Sequence, residues 1–279
     1  MGFSSEVLSI ETKSGVGTLW LDRPEKRNAM SPPMWKDLPG ALSELASDGE
    51  TRAIILAGKG KSFCVGLDLV MMGAGGGGEG AGLSQPLSGA EANLRQLEIT
   101  REFQRCISAI AESPIPVICA IHGHCLGGGI DLATACDIRL ASKDAIFSVR
   151  ETKIGIVADV GTLQRLPKVI TSGHVAELAY TGKDIDGTRA AKIGLVNDVY
   201  EDFEATYQAA FTMALEIAAN APLAVRGTKF VLTESEDLTT EQSLLLNGIW
   251  TMITTLNSND LKEAMSAFME KRTPTFKGN

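Results

Sequence analysis

Three short stretches of this 279-residue chain carry residues able to do chemistry. The first is the triple glycine Gly127-Gly128-Gly129, set between an apolar run at residues 118–121 and Ile130-Asp131-Leu132. Glycines there let a ligand come close to the backbone. The first N–H groups of a following helix are unpaired donors, with the positive end of the helix dipole behind them. Such amides suit a developing oxyanion. Tight helix–strand packing also favours glycine, but three in a row exceed what packing needs. A second glycine, in Phe63-Cys64-Val65-Gly66-Leu67-Asp68, would supply the other donor of a two-amide hole. The third stretch, residues 147–162, places Glu151 and Asp159 in an apolar, glycine-punctuated run. Beside Ile156, Val157 and Val160 these carboxylates are expected to lose water, which raises their proton affinity toward the range of proton transfer. Plainer explanations stand next to these. Asp159 suits the N-cap of a helix over 161–169, and Glu151 suits a surface partner of Arg150 or Lys153. Local chemistry divides evenly between them.

The elements that must hold these residues follow from periodicity. Short strands are expected at 7–10 and 17–21, around the turn Lys13-Ser14-Gly15, and a helix over 32–47 after Ser31-Pro32. A buried strand at 52–57 precedes a long amphipathic helix over 91–113, stopped by Pro114. A second buried strand spans 116–121, a helix opens near Gly128, and further strands lie at 138–141 and 146–149. Alternation of this kind predicts an α/β fold. Beyond about Asp198 the pattern turns helical, at 203–220, 224–236, 241–256 and 261–271. The expected organisation is an α/β catalytic core over 1–198 and a helical region over 199–279, serving as lid and oligomer contact. Residues 73–82, seven of them glycine, read as a mobile surface loop.

Composition removes several functions. With 26 Lys plus Arg against 34 Asp plus Glu, the net charge is −8. That disfavours nonspecific nucleic-acid binding and an anionic membrane surface, and there is no basic stripe with interleaved aromatics of the kind an RNA-binding protein needs. The five cysteines are scattered without CxxC spacing and only three histidines are present, so no metal site is expected. Free thiols, no spanning segment and no leader-like N-terminus point to a cytoplasmic protein. Three motifs fail on inspection. Gly73-x-Gly75-x-x-Gly78 runs into more glycine where a helix must open. Gly58-Lys59-Gly60-Lys61-Ser62 has Ile55 where a phosphate-binding loop needs glycine. His122-x-His124-Cys125 offers too few ligands for an ion.

Read in order, these segments resemble the crotonase family, the enoyl-CoA hydratase/isomerase superfamily. The likeness runs from Leu21-Asp22-Arg23-Pro24-Glu25-Lys26-Arg27-Asn28-Ala29-Met30 through Phe63 to Asp68 and Gly127 to Arg139. It continues through Gly161-Thr162-Leu163-Gln164-Arg165-Leu166-Pro167 to Ala267-Phe268-Met269-Glu270-Lys271-Arg272. The resemblance implies a crotonase fold, a spiral of ββα units with a helical C-terminal region that builds trimers or hexamers. It implies an acyl-CoA substrate whose thioester oxygen is held by the N–H groups of Leu67 and Gly128. It also implies a CoA site lined by Lys26, Arg27, Ala29, Val65 and Asp68, with Lys271 reaching a CoA phosphate across a subunit boundary. Coenzyme A is then part of the substrate and no separate cofactor is implied. Positive charge must be local on an otherwise acidic body. Family hydratases carry Glu at the positions of Asp131 and Glu151, and glycine at that of Asp159. The set Asp131, Glu151 and Asp159 is instead similar to the dienoyl-CoA isomerase branch. There Glu151 and Asp159 would move a proton from C2 to C6, with Asp131 in support. The alternative on the same scaffold is an enoyl-CoA hydratase or a Δ3-Δ2 isomerase.

Overall fold

The computed structural model describes residues 3–70 and 89–279, so the glycine-rich segment at 73–82 lies outside the described residues. Strands β1 (Leu8–Lys13) and β2 (Val16–Leu21) form a hairpin, closed by Ser14 and Gly15 in the left-handed region. Strand β3 (Ala53–Gly58) pairs parallel to β2, and β4 (Val117–Ile121) parallel to β3. Next come β5 (His124–Leu126), β6 (Ile138–Ser142), β7 (Ile146–Ser148), β8 (Ile185–Asp186) and β9 (Asp198–Tyr200). The main sheet has the order β1-β2-β3-β4-β6-β9, and β5-β7-β8 make a small second sheet.

The continuous apolar runs have a simple cause. Every residue of β3 and β4 is buried because helices cover both faces of the sheet. Successive side chains alternate between those faces. Ile54, Leu56, Cys119 and Ile121 join the larger core with Leu38 and Leu42 of α1 (Pro32–Ser47) and Ile107 of α2 (Gly89–Ala111). Ile55, Ala57, Ile118 and Ala120 pack on the other side against Ala210 and Ala214. Truncating a core side chain such as Leu56 to alanine is expected to cost about 2–5 kcal/mol.

The remaining helices are α3 (Gly128–Ala135), α4 (Thr162–Val169), α5 (Ser172–Thr181), α6 (Gly187–Lys192) and α7 (Phe203–Ala218). They are followed by α8 (Pro222–Glu234), α9 (Thr240–Trp250) and α10 (Asn259–Glu270). Helix α7 supplies Ala210 and Ala214 to the sheet's second face. The buried ammonium of Lys229 ties α8 to the sheet, donating to Asp137 Oδ2 at 2.7 Å and Ile115 O at 3.2 Å. The helix expected over 241–256 stops at Trp250 and passes into a π-helical turn, Thr251–Thr255. Among the described residues no helix is long and apolar enough to cross a membrane.

Candidate active site

The glycine run joins β5 to α3, and each glycine meets a different demand. Gly127 is the helix N-cap with φ +51° and ψ −118°, a conformation in practice reserved for glycine. Its N–H donates to Ser148 O at 3.0 Å, which anchors it to β7. A Cβ on Gly129 would stand 2.5 Å from Cys64 O, so the helix start is pressed against residues 63–66. The first helical turn closes through Ile130 N to Gly127 O at 2.7 Å. The Gly128 N–H is left with no acceptor among the described residues.

Leu67 lacks a partner for a different reason. It forms an isolated parallel bridge with Met30, in which Met30 N donates to Gly66 O (2.8 Å) and Asp68 N to Met30 O (3.2 Å). Neighbouring backbone groups on an extended chain alternate sides, so the N–H of Leu67 faces away from that bridge. Among the described residues it too has no acceptor. Gly66 between the segments has φ +85°, and a Cβ there would lie 2.7 Å from Leu126 O and 3.0 Å from Gly128 N. Two unpaired amides therefore sit on adjoining backbone segments, in contact only because Gly66 lacks a side chain. Cys64 beside them is no nucleophile, since burial pushes its thiol up to about 12.

Glu151 opens a 3-10 turn (Glu151–Ile154) directly after β7 and is buried. A Cβ on Gly127 would come within 3.3 Å of Glu151 Oε1, which places this carboxyl over the glycine run. Its Oε2 is buried with no partner among the described residues. Burial raises its proton affinity, and the charge of Asp159 adds to the effect. Asp131, on α3, is fully buried. Its Oδ1 accepts the Thr162 N–H at 2.5 Å and the Thr162 hydroxyl at 2.7 Å, while Oδ2 is left unpaired. Burial pushes this carboxyl up to about 7; the Thr162 hydroxyl opposes that and the Glu151 charge reinforces it.

Asp159 differs from expectation. It is exposed, and its neighbours Ile156 and Val157 are themselves 40% and 69% exposed, so they dry nothing. Nor does it cap α4. The N-cap is Gly161, and the acid at that helix start is Asp131, reaching across from α3. What fixes Asp159 is its backbone carbonyl, which accepts from Gln104 Nε2 of α2 at 2.6 Å. Glu151 is likewise no surface partner of Arg150, whose guanidinium forks onto Asp184.

Lys26 and Arg27 are exposed in and just after the 3-10 turn Pro24–Lys26, while Ala29 is buried and Val65 half-buried. Val65 N donates to Arg27 O at 3.2 Å, so these two segments line one edge. The Asp68 carboxylate is taken by Arg23 Nη1 at 3.1 Å. Lys271 is exposed at the C-cap of α10, with no ion-pair partner among the described residues. Sequence reasoning gave no role to Arg23, Asn28, Gln104 or Thr162. Asn28 left a signal, because asparagine tolerates the left-handed region it occupies (φ +56°). Its buried amide accepts from Arg23 N at 2.8 Å and donates to Ser62 O at 2.8 Å and Lys59 O at 3.0 Å.

An α/β body that presents two free amides beside a buried carboxyl of raised proton affinity offers the groups that stabilising an enolate-like oxygen and moving a proton would require. Residues 11–279 match the sequence model described as Enoyl-CoA hydratase/isomerase, and the chain belongs to that family. Its fold is the crotonase fold. An enoyl-CoA hydratase from Bacillus anthracis superposes with a TM-score of 0.86 at 30% identity, covering 98% of this chain and 100% of the other. Among curated proteins, the mitochondrial Δ3,5-Δ2,4-dienoyl-CoA isomerase of Dictyostelium discoideum is 40% identical, covering 95% of this chain and 88% of that one. The peroxisomal enzyme of the same name from Arabidopsis thaliana is 40% identical over 97% of this chain and 96% of its own length. These relatives overturn the expectation of a cytoplasmic protein, for their names place them in mitochondria and peroxisomes. The five cysteines are free and buried, and they carry no address.

Proposed function

We propose that this chain converts a 3,5-dienoyl-CoA to the 2,4-dienoyl-CoA by moving a proton from C2 to C6. The carrying observation is the carboxylate Asp159, close enough to buried Glu151 for its charge to raise that group's proton affinity. The relatives bearing this activity in their names support the same reading. In this scheme the N–H groups of Leu67 and Gly128 hold the thioester oxygen, where charge collects as C2 loses its proton. The enolate spreads along the diene to C6. One of Glu151 and Asp159 takes the C2 proton and the other delivers a proton to C6. Each turnover leaves the two acids with their protonation states exchanged. Before the next one, the group that took the C2 proton releases it to water and the group that fed C6 takes one back. Asp131 supports the site through the Thr162 contact. No electrons enter or leave, so the reaction calls for no redox cofactor.

For the CoA moiety, Lys26 and Arg27 supply local positive charge, and Ala29, Val65 and the Asp68 backbone supply a wall. Lys271, from a neighbouring subunit, supplies a further cation. That last role needs an oligomer, which we propose is a trimer or a pair of trimers. Support comes from apolar side chains left uncovered on α9, α10 and the turn between them: Leu244, Leu245, Met252, Ile253, Phe268 and Met269. The core over 1–198 then carries the chemistry and the helical region over 199–279 the lid and assembly contacts.

A dienoyl substrate tests the function. Incubation with 3,5-octadienoyl-CoA should raise ultraviolet absorbance, as the diene conjugates with the thioester, without a hydroxyacyl product. Rapid hydration of crotonyl-CoA with the dienoyl substrate untouched would assign the chain to the hydratases instead.

A further inference from the structure

Leu67 is held by one bridge with two hydrogen bonds and by its half-buried side chain, which packs against the core. Just past Asp68, Leu69 and Val70 are 53% and 76% exposed and add little packing of their own. What stands at that point is an ion pair. Arg23 Nη1 donates to Asp68 Oδ2 at 3.1 Å and to Ala29 O at 2.6 Å, with the two side chains only 15% and 10% exposed. Ala29 immediately precedes Met30 and Asp68 immediately follows Leu67, so one guanidinium spans both strands of the bridge. Arg23 itself is fixed by Asn28, whose side chain accepts from its N–H and whose N–H donates to its carbonyl at 2.9 Å. Charges with so little water must stay paired, so neither partner turns away without stranding the other.

We infer that the Arg23–Asp68 ion pair is a positioning device that aims the Leu67 N–H at the substrate's thioester oxygen. The inference rests on the reading above that Leu67 is one half of the oxyanion hole. It also changes the part played by Asp68. A carboxylate beside a polyanionic CoA would repel it, and this one is already engaged by Arg23. Its service to the reaction passes through the backbone of the residue before it. Arg23 and Asp68 are thus positioning residues, with no contact to the reacting atoms.

The test compares Asp68→Asn, Arg23→Gln and Arg23→Lys with the parent, reading deuterium incorporation at C2 of an acyl-CoA in heavy water. Because exchange needs only the hole and one base, it ranks the variants even if the parent fails to isomerise, a result that would count only against the proposed function. A hole displaced by an ångström should slow maximal exchange about 10- to 100-fold in Asp68→Asn and Arg23→Gln. Acyl-CoA affinity by calorimetry should stay within about threefold, since uniform binding is not what positioning supplies. Arg23→Lys, which keeps the charge, should recover part of the loss. If Arg23→Gln fails to fold, the nearly isosteric Asp68→Asn still decides. Exchange equal to the parent's in a folded variant with a lowered melting temperature would make the pair merely structural and overturn the inference. A loss confined to affinity would make Asp68 a CoA contact and overturn it equally.

Discussion

The Asp131 carboxylate, on the helix that starts at the glycine run, caps the next helix by accepting the Thr162 N–H at 2.5 Å. This bond joins the candidate oxyanion helix to the segment that carries Asp159, two residues before the Gly161 N-cap. The helix gets its cap from a side chain 31 residues away because its own N-cap residue has none to offer.

Burial of this capping carboxyl, which outweighs the opposing Thr162 bonds, makes stability depend on pH with a definite sign. An unfolded aspartate titrates near 3.8, whereas Asp131 in the folded chain titrates near 7. Between those values the native state binds the extra proton, so stability falls as pH rises through the window and levels off above it. Asp131→Asn keeps an acceptor for Thr162 and removes the slope. Relative to the parent it should gain on the order of 4 kcal/mol across the window, at most, with the full difference present above about pH 7. Urea unfolding at pH 4, 5.5 and 7.5 measures this, and a difference that stays flat with pH would contradict it.

Asp159→Asn is expected to remove isomerase turnover by about 10²- to 10⁴-fold, the usual range for a general acid or base. Acyl-CoA affinity should hardly change, because the amides and cations are untouched. The assay is the rise in dienoyl absorbance, with calorimetry for affinity. The helix-cap explanation has gone to Asp131, so unchanged turnover would make Asp159 an ordinary surface residue.

The same substitution has a consequence at Glu151. Burial is the main cause of the raised proton affinity of Glu151, and the Asp159 charge is a further one. Removing that charge should let Glu151 ionise at lower pH. Carbon-13 labelling of the glutamate carboxyls, with Glu151→Gln to assign the signal, follows this directly. A midpoint that stays put would mean the two acids do not sense one another.

Two glycine substitutions should part company. Gly127→Ala forces a side chain into φ +51° beside Glu151 Oε1, and is expected to cost about 1–3 kcal/mol along with most activity. Gly173→Ala, on α5 with open space around its Cβ, should instead add about 0.5–1 kcal/mol and leave turnover alone. Thermal denaturation with the isomerase assay separates them.

If the uncovered apolar side chains form subunit contacts, charge there should break the assembly. Ile253→Glu, at a position 74% exposed within the chain, is expected to yield monomers by light scattering while secondary structure persists. Turnover should fall as well, through loss of the Lys271 supplied by a neighbour. A parent that is already monomeric would remove both expectations.

Physics decides which of these features can be read from the letters alone. β3 and β4 are visible as unbroken apolar runs because both their faces are covered. The triple glycine is visible because a strained N-cap and close backbone approaches leave glycine as the residue that fits. The demand shows in the letter even though the partners, Cys64 and Gly66, are distant. β5 is not, since three residues next to a glycine carry no periodicity. The Asp131 cap and the exposure of Asp159 are equally hidden. Each depends on which distant segment packs alongside, and no spacing within residues 147–162 encodes that. Asp68 offers the same lesson, for its motif shows a carboxylate but not the arginine 45 residues earlier that holds it.

The bond from Gln104 to the Asp159 carbonyl has one more implication. At position 159 the loop is held by a backbone carbonyl, a group every amino acid possesses, while the side-chain contact falls to Thr162. The scaffold is therefore blind to the side chain at position 159. A lineage or a designer can exchange that residue without re-solving the folding problem. If Asp159 has the part proposed for it, the outcome of the reaction becomes a replaceable part, mounted on a frame that need not be rebuilt.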